Sequence, residues 1–396
     1  MEEDRFAKIM LISENAKKEG AAFGKKRYLY EEVKNVPEGY FAGICGLRGI
    51  GKTVLLLQLA NEVKNSLYFS ADAVYLKDLE LYEIAEFAGK RGFRNIFIDE
   101  IHYKKDWQQD LKTLYDEGSV RVFFSGSSAI EIRKGADLSR RALLFSMKPL
   151  SFREYLMMKK DKENLESLDY SVLFNSEKRG KMIKQTSDCS SYFGEYCKFG
   201  GLLYPSMDSN YYYKALETTI DKIIHSDLEA LRAVNANIEN DIYKILEWIA
   251  ISPVGEVNYS NLSSRISVTK PTLIRIVRDL ERIGILKTIL PCGKSGIRKE
   301  PKIYLAFPFR EFFCSQMTAK PDIGSLREEF FVQHAGDVCY LKGKRGEKTS
   351  DFLFHGKRIE IGGMGKKHSQ NPDFILKDGI TFEEDAIPLY LAGFLY

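Results

Sequence analysis

Gly46-Leu47-Arg48-Gly49-Ile50-Gly51-Lys52-Thr53 fits the phosphate-binding loop pattern G-x-x-x-x-G-K-[ST] at every fixed position. Residues 39–45 before it favour a β-strand, and residues 54–63 after it favour a helix. Strand, glycine-rich turn and helix therefore follow in the order that the motif requires. Backbone N–H groups of such a loop converge on phosphate oxygens, and the positive end of the helix dipole adds to the attraction. The stretch predicts a nucleotide-binding protein.

The loop also assigns roles to its polar side chains. Lys52 should reach the β- and γ-phosphates of ATP, and the hydroxyl of Thr53 should ligate Mg²⁺. ATP and Mg²⁺ are therefore the expected cofactors. The residues predicted to bind the nucleotide are Gly46, Leu47, Arg48, Gly49, Ile50, Gly51, Lys52, Thr53 and Val54.

A second motif lies downstream, where the run Asn95-Ile96-Phe97-Ile98 ends in Asp99 and Glu100. Such a run is typical of a buried parallel strand whose C-terminal end faces a ligand. Asp99 is predicted to hold Mg²⁺ together with Thr53. Glu100 is predicted to polarise the water that attacks the γ-phosphate. We interpret His102 as a neighbour of this site and not as a catalytic residue.

Two later features could complete the site. The strand-like run at residues 120–124 is followed by serines, of which Ser127 or Ser128 could sense the γ-phosphate. An ordinary turn is the alternative. Arg140 or Arg141 could neutralise charge on a γ-phosphate, either in its own subunit or in a neighbouring one. A surface arginine pair is the alternative, and the oligomeric state stays open.

Length and composition indicate several domains and no membrane segment. A chain of 396 residues is long enough for about two to four domains, and its net charge of +4 is too small to argue for nucleic acid by itself. Without a long apolar stretch or a signal peptide, we expect a cytoplasmic protein with no membrane partner. Scattered cysteines fit reduced thiols better than a disulfide framework and argue against zinc. They are Cys45, Cys189, Cys197, Cys292, Cys314 and Cys339.

The motifs together resemble a known group of ATPases. They comprise the loop at residues 46–53, the strand end at 97–102, Trp107, the run at 124–128, Arg140-Arg141 and Pro149-Leu150-Ser151-Phe152-Arg153-Glu154-Tyr155. The chain resembles AAA-type ATPases of bacteria and archaea with a C-terminal nuclease-like domain, relatives of the STAND and archaeal ATPase groups of the AAA+ superfamily. The run at 149–155 is the most family-specific part, because NTPase chemistry does not demand it. The resemblance implies an ATPase domain at residues 1–150 and a helical lid at 151–240.

Residues 241–310 have a different pattern. Apolar stripes predict three helices, and two β-rich runs follow them. Three helices and a basic hairpin describe a winged helix-turn-helix, which could contact duplex DNA. A module for protein interaction or autoinhibition is the alternative. The basic residues concerned are Lys270, Arg275, Arg278 and Arg282 on the third helix and Lys294, Arg298 and Lys299 in the wing at residues 291–301.

Residues 311–396 resemble a damaged PD-(D/E)xK nuclease core. In that fold three carboxylates surround Mg²⁺, and a lysine stabilises charge near the attacking water. Gly362 takes the lysine position, so Lys366 would have to reach back across a flexible glycine turn. We therefore favour a degenerate domain for binding or packing over a nuclease, and solvated charges in an ordinary α/β fold are the other alternative. The carboxylate positions are taken by Glu328 or Glu329, Asp351 and Glu360.

The predicted fold is α/β: a P-loop NTPase parallel sheet with a helical lid, a winged helix-turn-helix and a small C-terminal α/β nuclease-like domain. The predicted function is an ATP-hydrolysing switch whose turnover moves the lid and the winged helix. Two other functions stay open, a DNA-binding regulator that scarcely hydrolyses ATP and an ATP-gated nuclease. A protein partner is also left open.

Overall fold

The computed structural model describes residues 1–126, 138, 140–163, 165–204, 208–228, 236–293, 300–343, 349–366 and 371–396. The chain divides into two compact units. The first contains Met1–Lys148 and His225–Ala233, and the second contains Pro149–Ile224 and Val234–Tyr396. Most of the three parts that we predicted after residue 150 thus fall within one unit. Their separation at residues 240 and 310 stays a prediction.

The first unit is built on a five-stranded parallel sheet. Its strands lie in the order β2-β3-β4-β1-β5, and every neighbouring pair is parallel. Such an arrangement suits strands whose residues are apolar on both faces. The predicted α/β fold with a parallel sheet is confirmed. The strands are β1 (Phe41–Cys45), β2 (Ser66–Ser70), β3 (Asn95–Asp99), β4 (Arg121–Gly126) and β5 (Ala142–Ser146).

Helices of the first unit pack on this sheet. They are α1 (Glu3–Ala22), α2 (Tyr30–Lys34), α3 (Lys52–Glu62), α4 (Leu81–Lys90) and α5 (Trp107–Glu117), with 3₁₀ turns at Val74–Leu76 and Ile101–Tyr103. Helix α3 packs against β2, β3 and β4, and α1 packs against α3 and β2. Gly20 permits this close approach, because a Cβ atom there would lie 2.6 Å from Leu57 Cβ. Helix α3, which begins in the phosphate loop, is thereby fixed on the sheet.

The second unit begins with a helical region. Its helices are α6 (Phe152–Lys159), α7 (Tyr170–Phe174), α8 (Ser176–Thr186), α9 (Phe193–Phe199), α10 (Ser209–Lys222), α11 (Ala236–Ile251), α12 (Tyr259–Ile266), α13 (Lys270–Ile283), α14 (Phe309–Gln316) and α15 (Ile323–Ala335). 3₁₀ turns lie at Ser187–Tyr192 and Leu389–Phe394, and a π-helical turn at Ile223–Leu228 follows α10 directly. That turn crosses from the second unit into the first at residue 225.

The family-specific run at residues 149–155 forms the capped start of α6. The Ser151 side chain accepts a hydrogen bond from Glu154 N, and the Glu154 carboxylate accepts one from Ser151 N. Phe152 N donates to His334 Nε2 on α15 at 3.1 Å. The Phe152 ring lies in a core with Tyr196 and residues of the C-terminal sheet. Packing within the second unit therefore accounts for a motif that nucleotide chemistry does not require.

Helices α11, α12 and α13 are followed by an antiparallel hairpin of β6 (Leu286–Ile289) and β7 (Lys302–Leu305). The Thr269 side chain caps α13 by accepting a hydrogen bond from Thr272 N, with Pro271 in the first turn. Gly284 ends the helix in the left-handed conformation, at φ 98°. The predicted order of three helices and a hairpin is present. Wing residues 294–299, including Lys294, Arg298 and Lys299, lie outside the described residues.

The C-terminal part forms a mixed five-stranded sheet in the order β12-β11-β10-β9-β8. Strands β10, β11 and β12 are parallel, whereas β8, β9 and β10 are antiparallel. One apolar core runs from Leu150 through Phe330 to Phe394, which explains why this sheet and the helical region form one unit. The strands are β8 (Cys339–Tyr340), β9 (Phe352–Phe354), β10 (Lys357–Gly362), β11 (Phe374–Lys377) and β12 (Ala386–Pro388).

Cys292 and Cys339 form a disulfide, which corrects our expectation that the cysteines are all reduced. A parallel bridge between Pro291 and Tyr340 brings these positions together, with their Cα atoms 5.0 Å apart. The two cysteines are 47 residues apart in the sequence, so their spacing did not predict the disulfide. The remaining cysteines are buried and form no disulfide; they are Cys45, Cys189, Cys197 and Cys314.

Among the residues that the structure describes, none of the helices combines the length and the apolar character that crossing a bilayer requires.

Candidate nucleotide-binding site

The phosphate loop joins the C-terminal end of β1 to the first turn of α3. Gly49 and Gly51 adopt positive φ angles of 84° and 96°, which favour glycine. At Gly46 a Cβ atom would lie 2.4 Å from Met147 O, so only glycine fits there. Buried Arg27 donates hydrogen bonds to Ile50 O and, at 2.8 Å, to Lys148 O. The loop is therefore fixed by its glycines and by a buried arginine.

Lys52 is the first residue of α3 and is buried. Its Nζ donates to the carbonyl oxygens of Gly46 and Leu47, at 3.0 and 2.9 Å. Burial lowers the pKa of Lys52, an effect that the carboxylates of Glu100, Asp227 and Asp99 oppose. The lysine head group thus lies inside the concave side of the loop, surrounded by acidic residues.

Asp99, at the end of β3, lies beside the start of α3. Its Oδ2 atom accepts hydrogen bonds from Thr53 Oγ1 at 2.7 Å and from the Tyr68 hydroxyl at 3.3 Å. Its Oδ1 atom accepts one from Ser125 Oγ on β4. The C-terminal ends of β1, β3 and β4 meet at this edge because the strands are parallel. The structure therefore brings the predicted metal ligands Thr53 and Asp99 together.

Glu100 follows Asp99 in a left-handed conformation, with φ 50°. Its backbone N–H donates to Ser125 Oγ at 3.1 Å, while its Oε1 and Oε2 atoms lie 3.6 Å from Arg48 Nη1 and 3.5 Å from His102 Nδ1. Burial raises the pKa of Glu100, and the charge on Lys52 opposes that rise. Burial also lowers the pKa of His102 to about 4. The imidazole is therefore neutral at physiological pH beside an acid with raised proton affinity.

Arg48, within the phosphate loop, forms a second ion pair. Its Nη2 atom lies 2.9 Å from Oδ1 of Asp227, whose side chain is 0% exposed. Asp227 belongs to the π-helical turn Ile223–Leu228, in the part of that turn assigned to the first unit. The neighbouring Ser226 shares a hydrogen bond of 2.9 Å with the Tyr103 hydroxyl. A segment distant in sequence thus contributes an acid to the nucleotide site.

The arginine pair that we predicted does not join this group. Phe41 N donates to Arg141 O at the N-terminal start of β5, whereas the phosphate loop follows the C-terminal end of β1. The five residues of β5 span about 15 Å between these edges. Arg141 pairs there with Asp116 at 2.9 Å, and Arg140 is exposed. This placement does not favour a contact of Arg141 with the phosphate of its own subunit, and the contact of Arg140 or Arg141 with a phosphate of either subunit stays a prediction.

Sequence reasoning missed several residues of the site. Ser127 and Ser128 lie outside the described residues. Ser125, which precedes them on β4, donates the hydrogen bond to Asp99. The serine run at the strand end was the signal for it. Tyr68 lies in the middle of β2, so its position gave no strand-end signal. Asp227 had no local signal, because a single acid in a helical stretch resembles any solvated residue.

A separate group of charges lies in the second unit. This C-terminal acidic cluster consists of Glu328, Asp351 and Glu360 with Lys302 and Lys366. Lys366 Nζ lies 2.6 Å from Glu360 Oε1, and Lys302 Nζ lies 3.2 Å from Glu328 Oε2. Asp351 Oδ2 accepts a hydrogen bond from Ile361 N at 2.8 Å. Both lysines therefore neutralise carboxylates of the cluster.

The Lys366 side chain reaches the acids of the cluster, as we predicted from the presence of Gly362 at the position of the nuclease lysine. A Cβ atom on Gly362 would lie 2.6 Å from Lys366 Cγ, so the relocated side chain fills the space left by glycine. Of the two candidate first acids, Glu328 joins the cluster, whereas Glu329 forms a buried ion pair with Arg310 at 2.8 Å. In the described part of the chain, no three acidic, histidine or cysteine side chains are spaced to hold a metal ion.

The basic residues of α13 form an exposed stripe. Arg275, Arg278 and Arg282 are exposed at helical spacing, opposite the buried Leu273, Ile276, Val277 and Leu280. Exposed Lys270, at the start of the helix, donates to Ser260 Oγ at 2.8 Å. Arg282 lies 3.7 Å from Asp279. The predicted DNA-binding side chains of this helix therefore all reach the surface.

Solved structures offer distant similarities. AMPPCP-bound DnaA from Aquifex aeolicus has a TM-score of 0.25 at 16% identity and covers 64% of this chain and 86% of its own. Drosophila ORC bound to AT-rich DNA and Cdc6 has a TM-score of 0.24 at 9% identity, with coverage of 79% and 95%. At these scores neither similarity supports an inference about this chain.

Sequence relatives are more informative. A family model described as an AAA domain matches residues 39–156, the stretch that contains the phosphate loop, Asp99 and Glu100. An uncharacterized protein of Haemophilus influenzae is 22% identical over 62% of this chain and 60% of its own length. The uncharacterized protein MJ1637 of Methanocaldococcus jannaschii is 30% identical over 93% of this chain and 85% of its own. The chain therefore belongs to the family of MJ1637 and carries an AAA-type P-loop domain at residues 39–156.

Proposed function

We propose that this protein is a Mg²⁺-dependent ATPase that works as a nucleotide-controlled switch. The hydrogen bond of 2.7 Å between Thr53 Oγ1 and Asp99 Oδ2 carries this proposal, because it joins the first turn after the phosphate loop to the acidic strand end. These two groups belong to separate motifs, 46 residues apart in sequence. Their junction beside Lys52 is what phosphoryl transfer requires.

Each side chain of the site has a role in this proposal. Lys52 binds the β- and γ-phosphates, and the loop N–H groups orient them. Glu100 holds the attacking water and accepts its proton, a role that a raised pKa favours. His102, neutral at physiological pH, contacts Glu100 and is assigned no proton transfer in this proposal. Burial of the site strengthens these electrostatic interactions.

The residues present fit a magnesium ion. Mg²⁺ prefers hard oxygen ligands and is usually bound by one or two carboxylates together with substrate phosphates. The Thr53 hydroxyl and the Asp99 carboxylate offer such oxygens. Tyr68 donates to Oδ2 of Asp99 and Ser125 donates to Oδ1, and these two hydrogen bonds orient the carboxylate. When bound, the ion would neutralise phosphate charge during transfer. Thr53 and Asp99 are therefore the proposed metal ligands.

The test compares phosphate release and nucleotide binding in wild type and Glu100→Gln. We expect the variant to lose turnover by at least about 100-fold, since general-base catalysis contributes that much, and to bind ATP within about threefold of wild type. Glu117→Gln, which removes an exposed carboxylate from α5, is the matched control. Turnover that survives in Glu100→Gln would contradict the assigned base. A wild type that binds ATP but does not hydrolyse it would favour a nucleotide-stabilised regulator.

A second candidate function is DNA binding through a winged helix-turn-helix at residues 241–310. The exposed basic stripe of α13 favours it over a packing role, because guanidinium groups in such a stripe can contact phosphates along a groove. Coupling of this module to ATP turnover, and a nuclease-like ancestry of the C-terminal part, belong to the same proposal. The C-terminal part is proposed to bind or pack and not to cleave, because Lys302 and Lys366 already pair with two of its three acids, Glu328 and Glu360.

The DNA-binding proposal is tested by the salt dependence of duplex binding. Arg275→Ala should weaken binding severalfold and reduce the slope of log affinity against log salt by about one, as expected for one lost phosphate contact. Lys357→Ala removes an exposed charge from β10 and serves as the control. Equal salt slopes for wild type and Arg275→Ala would remove α13 from any DNA interface.

A further inference from the structure

Arg48 occupies a position in the phosphate loop where its guanidinium is already bound by acids. Its Nη2 atom pairs with Asp227 at 2.9 Å and its Nη1 atom lies 3.6 Å from Glu100. Its side chain is 19% exposed, so solvent screens these charges only partly. The proposed phosphate-binding loop therefore contains an arginine, Arg48, that is already paired with a carboxylate of the same chain, Asp227.

Asp227 is completely buried, and its charge needs a partner. Burying a carboxylate without a partner is strongly unfavourable, and a hydrogen-bonded arginine offsets much of that penalty. The adjacent hydrogen bond between Ser226 and Tyr103 fixes the turn beside the end of β3. The turn is π-helical, a conformation that is rare and often found at functional sites. The pair is thus a specific contact between the phosphate loop and residues 225–228.

The γ-phosphate of ATP is a second anion for the same guanidinium. Arginine binds phosphate through charge-assisted and often bidentate hydrogen bonds, as it does carboxylate. We propose that Asp227 competes with the terminal phosphate of ATP for Arg48, so that residues 225–228 are held in place without that phosphate and released when it binds. This inference rests on the proposed ATP-binding function and adds to it a means of distinguishing ATP from ADP.

The direction of the effect follows from differential affinity. A ligand shifts a conformational equilibrium only as far as it prefers one state, and ADP lacks the phosphate that competes for Arg48. Removing the charge of Asp227 leaves Arg48 without its carboxylate, which favours the γ-phosphate. Asp227→Asn should therefore bind a non-hydrolysable ATP analogue about tenfold more tightly, while its affinity for ADP changes less than about twofold. Asp227 acts through Arg48 and is a positioning residue.

The experiment measures affinities of the full-length protein for the ATP analogue and for ADP. Wild type, Asp227→Asn and the double variant Arg48→Met/Asp227→Asn are compared after thermal unfolding has established that each is folded. Asp72→Asn is the matched control, since it removes an exposed carboxylate just after β2 in the same unit. We expect the tenfold gain in affinity for the analogue in Asp227→Asn. We expect no such gain in the double variant, because Arg48 is replaced there. Equal analogue-to-ADP affinity ratios in wild type and Asp227→Asn would overturn the inference.

A measurement on the wild-type protein tests the inference even if a variant does not fold. Hydrogen exchange in residues 225–228 should increase with saturating ATP analogue and stay near its starting rate with ADP. Equal exchange with both nucleotides would overturn the inference while leaving ATP binding intact. Failure of wild type to bind either nucleotide would overturn the proposed function as well. The two failures are therefore distinguishable.

Discussion

The nucleotide site and the C-terminal acidic cluster both combine buried carboxylates with lysine, but they satisfy those charges differently. In the nucleotide site, Asp99 accepts hydrogen bonds from hydroxyl groups and Lys52 donates to carbonyls of its own loop. In the cluster, Glu360 pairs directly with Lys366, and Glu328 pairs with Lys302. Similar residue types thus give an acidic edge beside a phosphate loop in one unit and an internally neutralised group in the other.

This difference teaches that acids near a lysine do not by themselves make a ligand site. A carboxylate that is already paired with an ammonium group gains less from a metal ion than one held by neutral donors. Arg48 is the cation that acids of the nucleotide site approach: it lies 3.6 Å from Glu100 and forms its closer pair with Asp227. We infer that this pair has a competitor in ATP, which distinguishes it from the lysine pairs of the cluster.

The largest expected effect comes from removing the lysine of each group. Lys52→Ala should weaken ATP binding by at least about 100-fold, because charge-assisted contacts to two phosphates are lost. Lys366→Ala should leave ATP affinity within about twofold of wild type. Affinities measured by fluorescence of a labelled nucleotide provide the comparison. Equal losses in both variants would break the contrast between the two sites.

The adjacent residues Glu328 and Glu329 on α15 test which acids belong to the C-terminal acidic cluster. Glu329→Gln should destabilise the second unit by about 3 kcal/mol, because it leaves the charge of Arg310 buried, whereas Glu328→Gln should have a much smaller effect. In a Trp107→Phe background, Trp248 on α11 is the remaining tryptophan and reports urea unfolding of the second unit. Similar unfolding midpoints for the two variants would remove the distinction between Glu328 and Glu329.

Glu328 also predicts a pH dependence. Burial raises the pKa of Glu328 above its usual 4.5, with Lys302 opposing the rise and Asp351 adding to it. The folded state then holds the proton more tightly than the unfolded state, so this carboxyl decreases stability as pH rises from about 4.5 through the folded pKa. Glu328→Gln should flatten that part of the stability profile, by less than the effect of Glu329→Gln. Parallel profiles for Glu328→Gln and wild type would contradict a raised pKa.

The smallest expected effect concerns DNA cleavage. With Mg²⁺, and with or without ATP, wild type should cut supercoiled plasmid no faster than Asp351→Ala, because Glu328 and Glu360 are already paired with lysines. Gel analysis over several hours measures the rates. Cleavage by wild type that disappears in Asp351→Ala would show that Lys366 serves catalysis and would reverse our comparison of the two sites.

Local sequence predicted the arrangement of the phosphate loop and the acidic strand end where neighbouring residues set the geometry. The glycines of the loop, the helix start at Lys52 and the acidic end of β3 follow from spacing and strand polarity, and the parallel sheet brings strand ends together. The same logic placed hydroxyl groups at this edge of the sheet, where Ser125 donates to Asp99, whereas the predicted Ser127 and Ser128 lie outside the described residues. It did not take into account that Arg141 precedes β5, and residues before a strand lie at the opposite edge of a parallel sheet from residues after one.

The sequence alone determined the phosphate loop, the α/β alternation and the residue types of both acidic groups, since each depends on short-range spacing and periodicity. The tertiary structure alone decided which charges meet. Asp227 lies 179 residues from Arg48, and Cys292 lies 47 residues from Cys339. Lys366 takes the space that Gly362 leaves. Coulombic and hydrogen-bonding partners are selected by distance in space, and the folded path of the chain sets that distance.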